Sequence, residues 1–461
     1  MVFCNREHLD RAVICTAGFL IFAGTQTGEG VTAPASSRDH PPASLAWAIW
    51  GLGAALYFIG FYQRVSPAVI TTELTDTFAL TAAGLGNLSA FYFYSYVAMQ
   101  IPTGILVDRL GARRLLTAGA LLAGLGTAVF AMAQDVSMAN LGRLLIGASV
   151  GVAFVAMLKL AAHWMPPRQY ALTSGIALAV GVSGAVFAGA PLRLLVNEFG
   201  WRDVMWMSAA LTFLVAVAMW LIVRDDPSER GYRSHFEGTH GVVNDTGLLD
   251  GLKVAMRSRN VLLLFFIPGA ASSMVLTFAG LWGVPFLITH YGLTPTNAAG
   301  LCSAMMVAWA IGSIGYSAAS DRIGRRKPLY IGGLLVSLAL WAALIYVERW
   351  PYGVLCFLLV AIGFFSGCFI ISFAFAKESG PARLAGTVSG ISNMGVIQGP
   401  MYMQPLVGII LDRNWQGGLD GGKRVFDFAS YQQGFSLVLL WGIVALALLA
   451  MTKETYCKQT N

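Results

Sequence analysis

Asp108-Arg109-Leu110-Gly111-Ala112-Arg113-Arg114 lies between two long apolar stretches, and Asp321-Arg322-Ile323-Gly324-Arg325-Arg326-Lys327 lies between two others. The copies stand 213 residues apart, from Asp108 to Asp321, close to half of the 461-residue chain. An aspartate, a turn glycine and a cluster of cations, repeated at half-chain spacing among hydrophobic segments, indicate a duplicated membrane protein. One such loop could arise by chance; two in register carry the reading.

Composition agrees. The chain is 56% hydrophobic and 11% charged, with a mean hydropathy of +0.66. A soluble chain of this length could not hide so much apolar surface, so the bilayer is expected to be part of its solvent. The net charge of +7 does not form a nucleic-acid face, because the cations sit in short loops between apolar runs. The six cysteines have neither metal-ligand spacing nor a paired framework. No metal, cofactor or nucleic-acid partner is expected. Without a Gly-x-x-x-x-Gly-Lys-Ser/Thr loop, direct drive by a nucleotide is not expected either. No catalytic triad or carboxylate pair stands out, so the chain does not read as an enzyme.

Segments of roughly 20 apolar residues suffice to span a bilayer. Such segments fall at about 45–72, 81–106, 113–133, 139–163, 169–196 and 203–223, and then at about 259–289, 296–319, 327–347, 352–376, 383–411 and 433–452. The fold class is therefore all-α integral membrane, with 12 transmembrane helices in two sets of six, 44–223 and 259–452. Small residues spaced four apart, such as Gly147 and Gly151, or Gly181, Ala185 and Gly189, predict close helix contacts. Residues 224–258 read as a polar cytoplasmic linker with a short surface helix near Leu248–Met256. Residues 1–43 read as a disordered N-terminal cytoplasmic tail or the product of an upstream start codon, a signal peptide being the other reading. Residues 453–461 form the C-terminal tail. With the N-terminus inside, 21 of the 30 cations fall in cytoplasmic segments, which places both termini in the cytoplasm.

The stretch Gly104-Ile105-Leu106-Val107-Asp108-Arg109-Leu110-Gly111-Ala112-Arg113-Arg114 resembles the loop 2–3 signature of the major facilitator superfamily. The second copy is similar, with Ser317 in place of the leading glycine. Arg143-Leu144-Leu145-Ile146-Gly147 resembles the family's fourth-helix arginine motif, and Gly200-Trp201-Arg202 before the sixth span is also similar to it. The resemblance implies the MFS fold, two six-helix bundles around a central cavity, in a transporter whose cavity opens alternately to either side of a bacterial-type inner membrane. The loop residues Gly104, Asp108, Arg109, Gly111, Arg113 and Arg114, with Asp321, Arg322, Gly324, Arg325 and Arg326, are then a conformational latch rather than a substrate site. The physical basis is an acid beside a helix N-terminus and loop cations.

A charge inside a span is costly and is a functional-site hypothesis by default. Arg64 follows Tyr57, Tyr62 and Gln63 on the first span. A guanidinium at mid-membrane depth would attract a carboxylate or phosphate through forked hydrogen bonds; at the outer interface it would only snorkel. An arginine here resembles the superfamily's organic-anion and organophosphate branch. That branch's seventh-span arginine and second-span lysine are replaced by Thr277 and Gln100, and its acidic coupling positions by Gln63 and the stretch near Val150. One strong cation suits a monocarboxylate better than a phosphate dianion. Further substrate-binding candidates are Tyr62, Tyr92, Tyr96, Gln100, Lys159, Trp282, Asn393, Gln398 and Tyr402, with Asn87, Trp309 and Gln404 also expected to face a cavity. Arg143 and Lys159 are the coupling candidates, each with a structural alternative: backbone carbonyls for Arg143, snorkelling for Lys159. His163 and His290 look isolated.

The expected function is secondary active transport of a small organic solute, an organic anion (carboxylate), by a monomer working with H+ or another ion. A drug or metabolite efflux antiporter is the alternative, as is a transporter-like membrane sensor or assembly protein. The fifth span, with Gly181-Val182-Ser183-Gly184 and then Ala190-Pro191, matches the antiporter motif poorly.

Overall fold

The computed structural model describes residues 40–166, 169–235, 253–381, 384–420 and 423–459. The predicted tail over 1–43 therefore lies almost wholly outside the described residues, and so does most of the predicted linker helix, of which 253–256 are helical. Backbone amides in hydrocarbon have no water to bond and must pair along their own segment, so long apolar runs become helices.

Among the described residues, ten helices are long and apolar enough to cross a membrane. Span 1 is Ala43–Val69, span 6 is Trp201–Ile222, span 8 is Pro295–Ile323, span 9 is Lys327–Tyr346, span 11 is Ala385–Asn414 and span 12 is Phe428–Ala450. Spans 4 (Val136–Trp164), 7 (Arg259–Tyr291) and 10 (Tyr352–Ser379) are each interrupted within their length. Span 5 is the bent pair Gly175–Phe187 and Ala190–Phe199, which turns by 41° and makes an eleventh crossing.

The predicted segment at about 81–106 is also helical. It begins the 51-residue helix Ala82–Met132, which as a straight rod would measure about 76 Å, far more than a bilayer. Gly111, at φ 80 and ψ 163, divides it into span 2 (82–110) and span 3 (112–132). The turn glycine of the repeated loop thus sits where the helix reverses. In the second copy Gly324, at φ 70, ends span 8.

Helix ends on the side opposite the repeated loops carry side-chain caps. Thr81, Asp135, Thr294 and Asp427 each accept a backbone N–H of the first turn of spans 2, 4, 8 and 12, satisfying donors that the helix cannot. Arg202 works at the other polarity, donating to the carbonyls of Ala131 (2.6 Å) and Ala133 (2.8 Å) at the end of span 3. Between spans 11 and 12 a two-residue hairpin pairs β1 (Leu419–Asp420) with β2 (Lys423–Arg424), Leu419 opposite Arg424.

The first six spans meet the last six along three lines: span 2 on span 11, span 5 on span 8, and span 1 on the middle of span 7. Small residues permit these and the other close approaches. A Cβ at Gly147 in span 4 would overlap the Tyr92 carbonyl oxygen in span 2, whereas one at Gly104 would meet nothing within 4 Å. Gly147→Val should therefore destabilise the purified protein by ~1–3 kcal/mol, as overpacking does, and Gly104→Ala should leave the melting temperature unchanged or slightly raised. Detergent-solubilised thermal unfolding of the two variants checks this, and equal melting temperatures would refute it.

Candidate functional site

Arg64 sits on the inner face of span 1 and is 4% exposed. Its guanidinium lies over the Phe61 ring at 4.2 Å, over Tyr96 at 5.2 Å and over Tyr92 at 5.6 Å. Phe61 is one helical turn back on the same span, while Tyr92 and Tyr96, stacked at 6.0 Å, come from one face of span 2. Ring faces attract a cation but leave its N–H donors to find acceptors elsewhere, and Nε of Arg64 has none. The phenols beside it are those of Tyr57, Tyr92 and Tyr96, with a side-chain hydrogen bond to Tyr92; no carboxylate among the described residues faces it.

Beside it lies a cavity of about 10 Å³, room for about one water. Phe61, Arg64, Val65, Val182, Ala185, Leu276, Met306 and Trp309 line it. Spans 1, 5, 7 and 8 therefore converge on Arg64, and the pocket opens between the two halves of the molecule. The wall contributed by span 7 borders an irregular segment: residues Phe278–Trp282 form a π turn next to Leu276, a local feature that recurs at functional sites.

The second buried arginine is bonded to backbone carbonyls instead, although its Nε, like that of Arg64, has no partner. Nη1 of Arg143 donates to the Gln63 carbonyl at 2.5 Å, Nη2 to the Ser89 carbonyl at 3.5 Å, and the guanidinium lies 5.1 Å from the Tyr92 ring. Arg143 braces spans 1, 2 and 4. Of its two sequence readings the geometry matches carbonyl binding, since its hydrogen bonds go to the carbonyls of Gln63 and Ser89.

The remaining candidates divide. Tyr92, Tyr96, Gln100 and Asn393 come together: Nδ2 of Asn393 in span 11 donates to Gln100 Oε1 at 2.9 Å and reaches the Tyr96 hydroxyl at 3.5 Å. Tyr62 does not join them. It lies two residues before Arg64, about 200° around the helix, and its hydroxyl meets Ser208 of span 6 at 2.9 Å. Trp282 spends its N–H on the Gln404 carbonyl and Gln398 its amide on the Phe265 carbonyl, so both hold span 11 to span 7. Tyr402 is 49% exposed on the outside of the bundle. Lys159 donates to the Val107 carbonyl at 2.8 Å, near the loop end of span 2. Asn87 accepts from the Tyr94 hydroxyl, and Gln404 donates to the Leu276 carbonyl. Phe61, which no sequence feature except its position one turn before Arg64 singles out, was missed.

The conformational loops are built from acids distant in sequence. Asp225, past the end of span 6, accepts the Arg113 backbone N–H at 2.8 Å, and its carboxylate fills the place a Cβ on Gly111 would need. Arg113 itself donates to the Trp220 carbonyl and lies over that ring at 4.3 Å. In the second half Glu454, past the end of span 12, accepts the N–H groups of Arg326 (3.0 Å) and Lys327 (2.9 Å). Arg326 is paired with Asp321 and Glu378, both at 2.6 Å. The Asp108 side chain lies outside the described residues, as does the contact expected of it.

His163 is not isolated: its Nδ1 lies 2.8 Å from Asp226 Oδ2. Burial would raise the Asp226 carboxyl, but hydrogen bonds from Ser228 and His163 bring it down to about 2. Nearby, His40 and His235 stack at 3.9 Å. On the face opposite the loops, Asp412 at the end of span 11 accepts the N–H groups of Ala82 (3.0 Å) and Ala83 (2.7 Å) at the start of span 2, and Arg424 joins it at 3.0 Å. A Cβ on Gly189 of span 5 would overlap Ser303 Oγ of span 8 on the same face. The two halves are closed there.

Helical bundles in this arrangement, tied together on one face and holding a buried cation between them, define a membrane transport protein. The Major Facilitator Superfamily profile matches residues 50–401, and the chain belongs to that superfamily, whose members here are transporters rather than enzymes. It is 32% identical over 196 residues to the uncharacterized transporter YybO of Bacillus subtilis, a match that spans 44% of that protein and 42% of this chain. A second relative, the probable sulfoacetate transporter SauU of Cupriavidus necator, is likewise matched over only 42% of its length. A putative tartrate transporter of Agrobacterium vitis is 23% identical over 397 residues, 80% of this chain and 84% of that one. Among solved structures, a bacterial homologue of the human lysosomal transporter Spinster superposes with a TM-score of 0.71 at 17% identity, covering 89% of this chain and 97% of its own. These likenesses to solved structures establish the fold.

The Asp412 cluster predicts a shift in closure. Asp412→Asn keeps the shape but removes the charge that the span 2 N-terminus and Arg424 attract. Spin labels at Leu80 and Gln416 should report a larger population of long separations in this variant than in the unsubstituted protein. An unchanged distance distribution would show that packing alone closes this face.

Proposed function

We propose that the chain is a secondary active transporter that carries a small organic anion, a carboxylate, across the inner membrane by alternating access. It works as a monomer, with both termini in the cytoplasm, and couples transport to H+ or another ion. The observation that carries this reading is Arg64: a buried cation with ring faces around it, no carboxylate opposite it and an unbonded Nε, at a cavity between the two halves. A charge left so is costly, and a ligand that supplies the missing acceptors recovers that cost on binding. The names of relatives point the same way: two are named putative tartrate transporters, one a probable galactarate/D-glucarate transporter and one a probable chloroplastic anion transporter. The excess of cations on the side of the repeated loops supports placing that face in the cytoplasm.

In this scheme the anion enters, places its carboxylate on Arg64, and relieves the uncompensated charge so that the halves can close around a neutral pair. Tyr96, Gln100 and Asn393 form the polar contact between spans 2 and 11 that must part for passage toward the loop face. Arg143 holds spans 1, 2 and 4 together during the movement. Lys159 is the coupling candidate, because its ammonium holds the Val107 carbonyl beside the repeated loop.

Arg64→Ala should cost ~2–5 kcal/mol of anion binding, the range for removing one partner of a buried charge pair. It should not lower the melting temperature of the unliganded protein, since no counter-ion is left behind. Arg64→Lys should restore binding only in part, because an ammonium cannot make the forked contact. Thermal-shift titration with carboxylates, phosphates, amino acids and neutral sugars, alongside uptake into proteoliposomes, tests this. Stabilisation by neutral or cationic compounds alone, the same in Arg64→Ala, would replace the carboxylate reading with efflux.

A further inference from the structure

We propose that the groove between the loop ends of spans 3 and 6 binds a phospholipid with an anionic headgroup, its acyl chain lying in the groove and its phosphate at Arg114. This lipid site lies on the outside of the first half and is independent of the substrate assigned to Arg64.

The groove has a volume of about 470 Å³, within the range of small-ligand sites. Arg114, Thr117 and Leu121 of span 3 and Val217, Trp220 and Leu221 of span 6 line it. From Arg114 to Leu121 the helix rises ~10 Å, so the groove follows much of one leaflet, whose hydrocarbon is ~15 Å deep. It opens away from the bundle, since Leu121, Val217, Trp220 and Leu221 are all exposed. Its wall is apolar. The one hydroxyl in it, that of Thr117, donates to the Arg113 carbonyl at 2.8 Å. Such a wall suits hydrocarbon and gives a polar solute nothing to bond, and the bilayer supplies an acyl chain at that place.

The loop end of the groove is positive. Three guanidinium groups donate to the carbonyls that close span 6: Arg113 to Trp220 (2.7 Å), Arg224 to Leu221 (3.1 Å) and Val223 (2.8 Å), and Arg230 to Ile222 (2.7 Å). The free carbonyls and the negative end of that helix hold them there. The neighbouring acids are engaged elsewhere. Asp225 accepts the Arg113 N–H at the start of span 3, Asp226 the Ser228 N–H and a bond with His163, and Glu229 the N–H groups of Asp225 and Asp226. Arg114 differs from the other three arginines. It is exposed in the first turn of span 3 and has no hydrogen bond or ion pair among the described residues. A long cation at a helix end lays its stem on apolar surface and carries its charge to headgroup level, and Trp220 beside it is a side chain favoured at that depth. An apolar slot with an unpaired cation at its mouth is complementary to an anionic amphiphile, and basic pockets between spans are where such headgroups bind.

Native mass spectrometry of the full-length protein, purified in an uncharged detergent, counts bound lipids directly. The probes are dioleoyl phosphatidylglycerol, dioleoyl phosphatidylcholine and soluble glycerol phosphate, each with the unsubstituted protein, Arg114→Gln, Ala118→Phe and Arg257→Gln. Arg257 is an exposed cation just before span 7, in the other half of the chain. The expected result is phosphatidylglycerol retained over phosphatidylcholine by roughly fivefold, the worth of one arginine at a headgroup. Arg114→Gln should erase that preference, and Arg257→Gln should leave it unchanged. Ala118→Phe, which puts a ring into the slot, should lower retention of both lipids. Equal retention of the two lipids by the unsubstituted protein, or an unaltered preference in Arg114→Gln, would overturn the proposal. So would an equal loss in Arg257→Gln, which would mean attraction to net charge alone. Glycerol phosphate bound as tightly as the lipid would replace it with a soluble-phosphate site, and a lipid-free dimer would replace it with a second copy of the chain in the groove. Should Ala118→Phe fail to fold, Arg114→Gln, a surface substitution, still decides the matter.

Discussion

A cation placed in hydrocarbon must be answered from within the protein, and the two buried arginines of the first half are answered in opposite ways. Arg143 takes carbonyl oxygens from spans 1 and 2, and the face of Tyr92, with its Nε left over. Arg64 takes the faces of Phe61, Tyr92 and Tyr96, which stabilise a positive charge, and a hydrogen bond with Tyr92, its Nε likewise left over. Tyr92 serves both, its ring lying between the two guanidinium groups and its hydroxyl bonded to the Gly60 carbonyl. Spans 1, 2 and 4 are thus arranged around two charges, one answered by backbone carbonyls and one by rings at the edge of the cavity. Gly147 allows it by letting span 4 press on span 2 at Tyr92. The location of the central cavity follows from that division.

The bilayer made much of this legible in the sequence. Because each crossing needs a long apolar run, the spans could be drawn within a few residues of Ala43–Val69, Trp201–Ile222 or Lys327–Tyr346, and Arg64 stood out as a charge where charges are rare. What the chain did not reveal was which way a side chain points once the helices pack. Tyr62 was grouped with Arg64 by proximity in sequence, yet two residues along a helix is more than half a turn, and it faces Ser208 instead. Trp282 and Gln398 were sound expectations for polar atoms that lipid cannot satisfy; carbonyls at irregular places in neighbouring helices satisfied them first. Trp309, expected from the sequence to face a cavity, lies in the wall of the one beside Arg64.

The repeated loops make a related point about duplication. Their cations and glycines recur in register, but the acids that cap them do not. Arg113 is capped by Asp225, 112 residues later, and Arg326 by Glu454, 128 residues later. In both halves the acid follows the bundle's last span and meets the exposed N–H groups at the start of its third. The electrostatic need of a helix N-terminus is the same in each, while the linker and tail that supply the carboxylate have diverged in length. A search for matching sequence finds the loops; only the folded chain shows that their partners match too. His163 and Asp226 likewise come from the end of span 4 and the segment after span 6, so neither their 63-residue separation nor their surroundings in sequence relate them.

How the contacts are divided between the halves bears on how a ligand could move them. The face opposite the loops is held by charge, with Asp412 gripping the start of span 2; nearer the loops, spans 2 and 11 meet through the neutral side chains of Asn393, Gln100 and Tyr96. Ligands shift a conformational equilibrium only by as much as they prefer one state over another. An anion bound to Arg64 and its rings alone would touch the first half only and would have no stake in how the second half sits. Span 8 changes that, because Met306 and Trp309 bring the second half to the wall of the same cavity. A ligand held by Arg64 and packed against those two side chains touches both halves, and it binds most tightly where they are nearest. Occupancy and closure then become one equilibrium, which is what alternating access requires of its substrate.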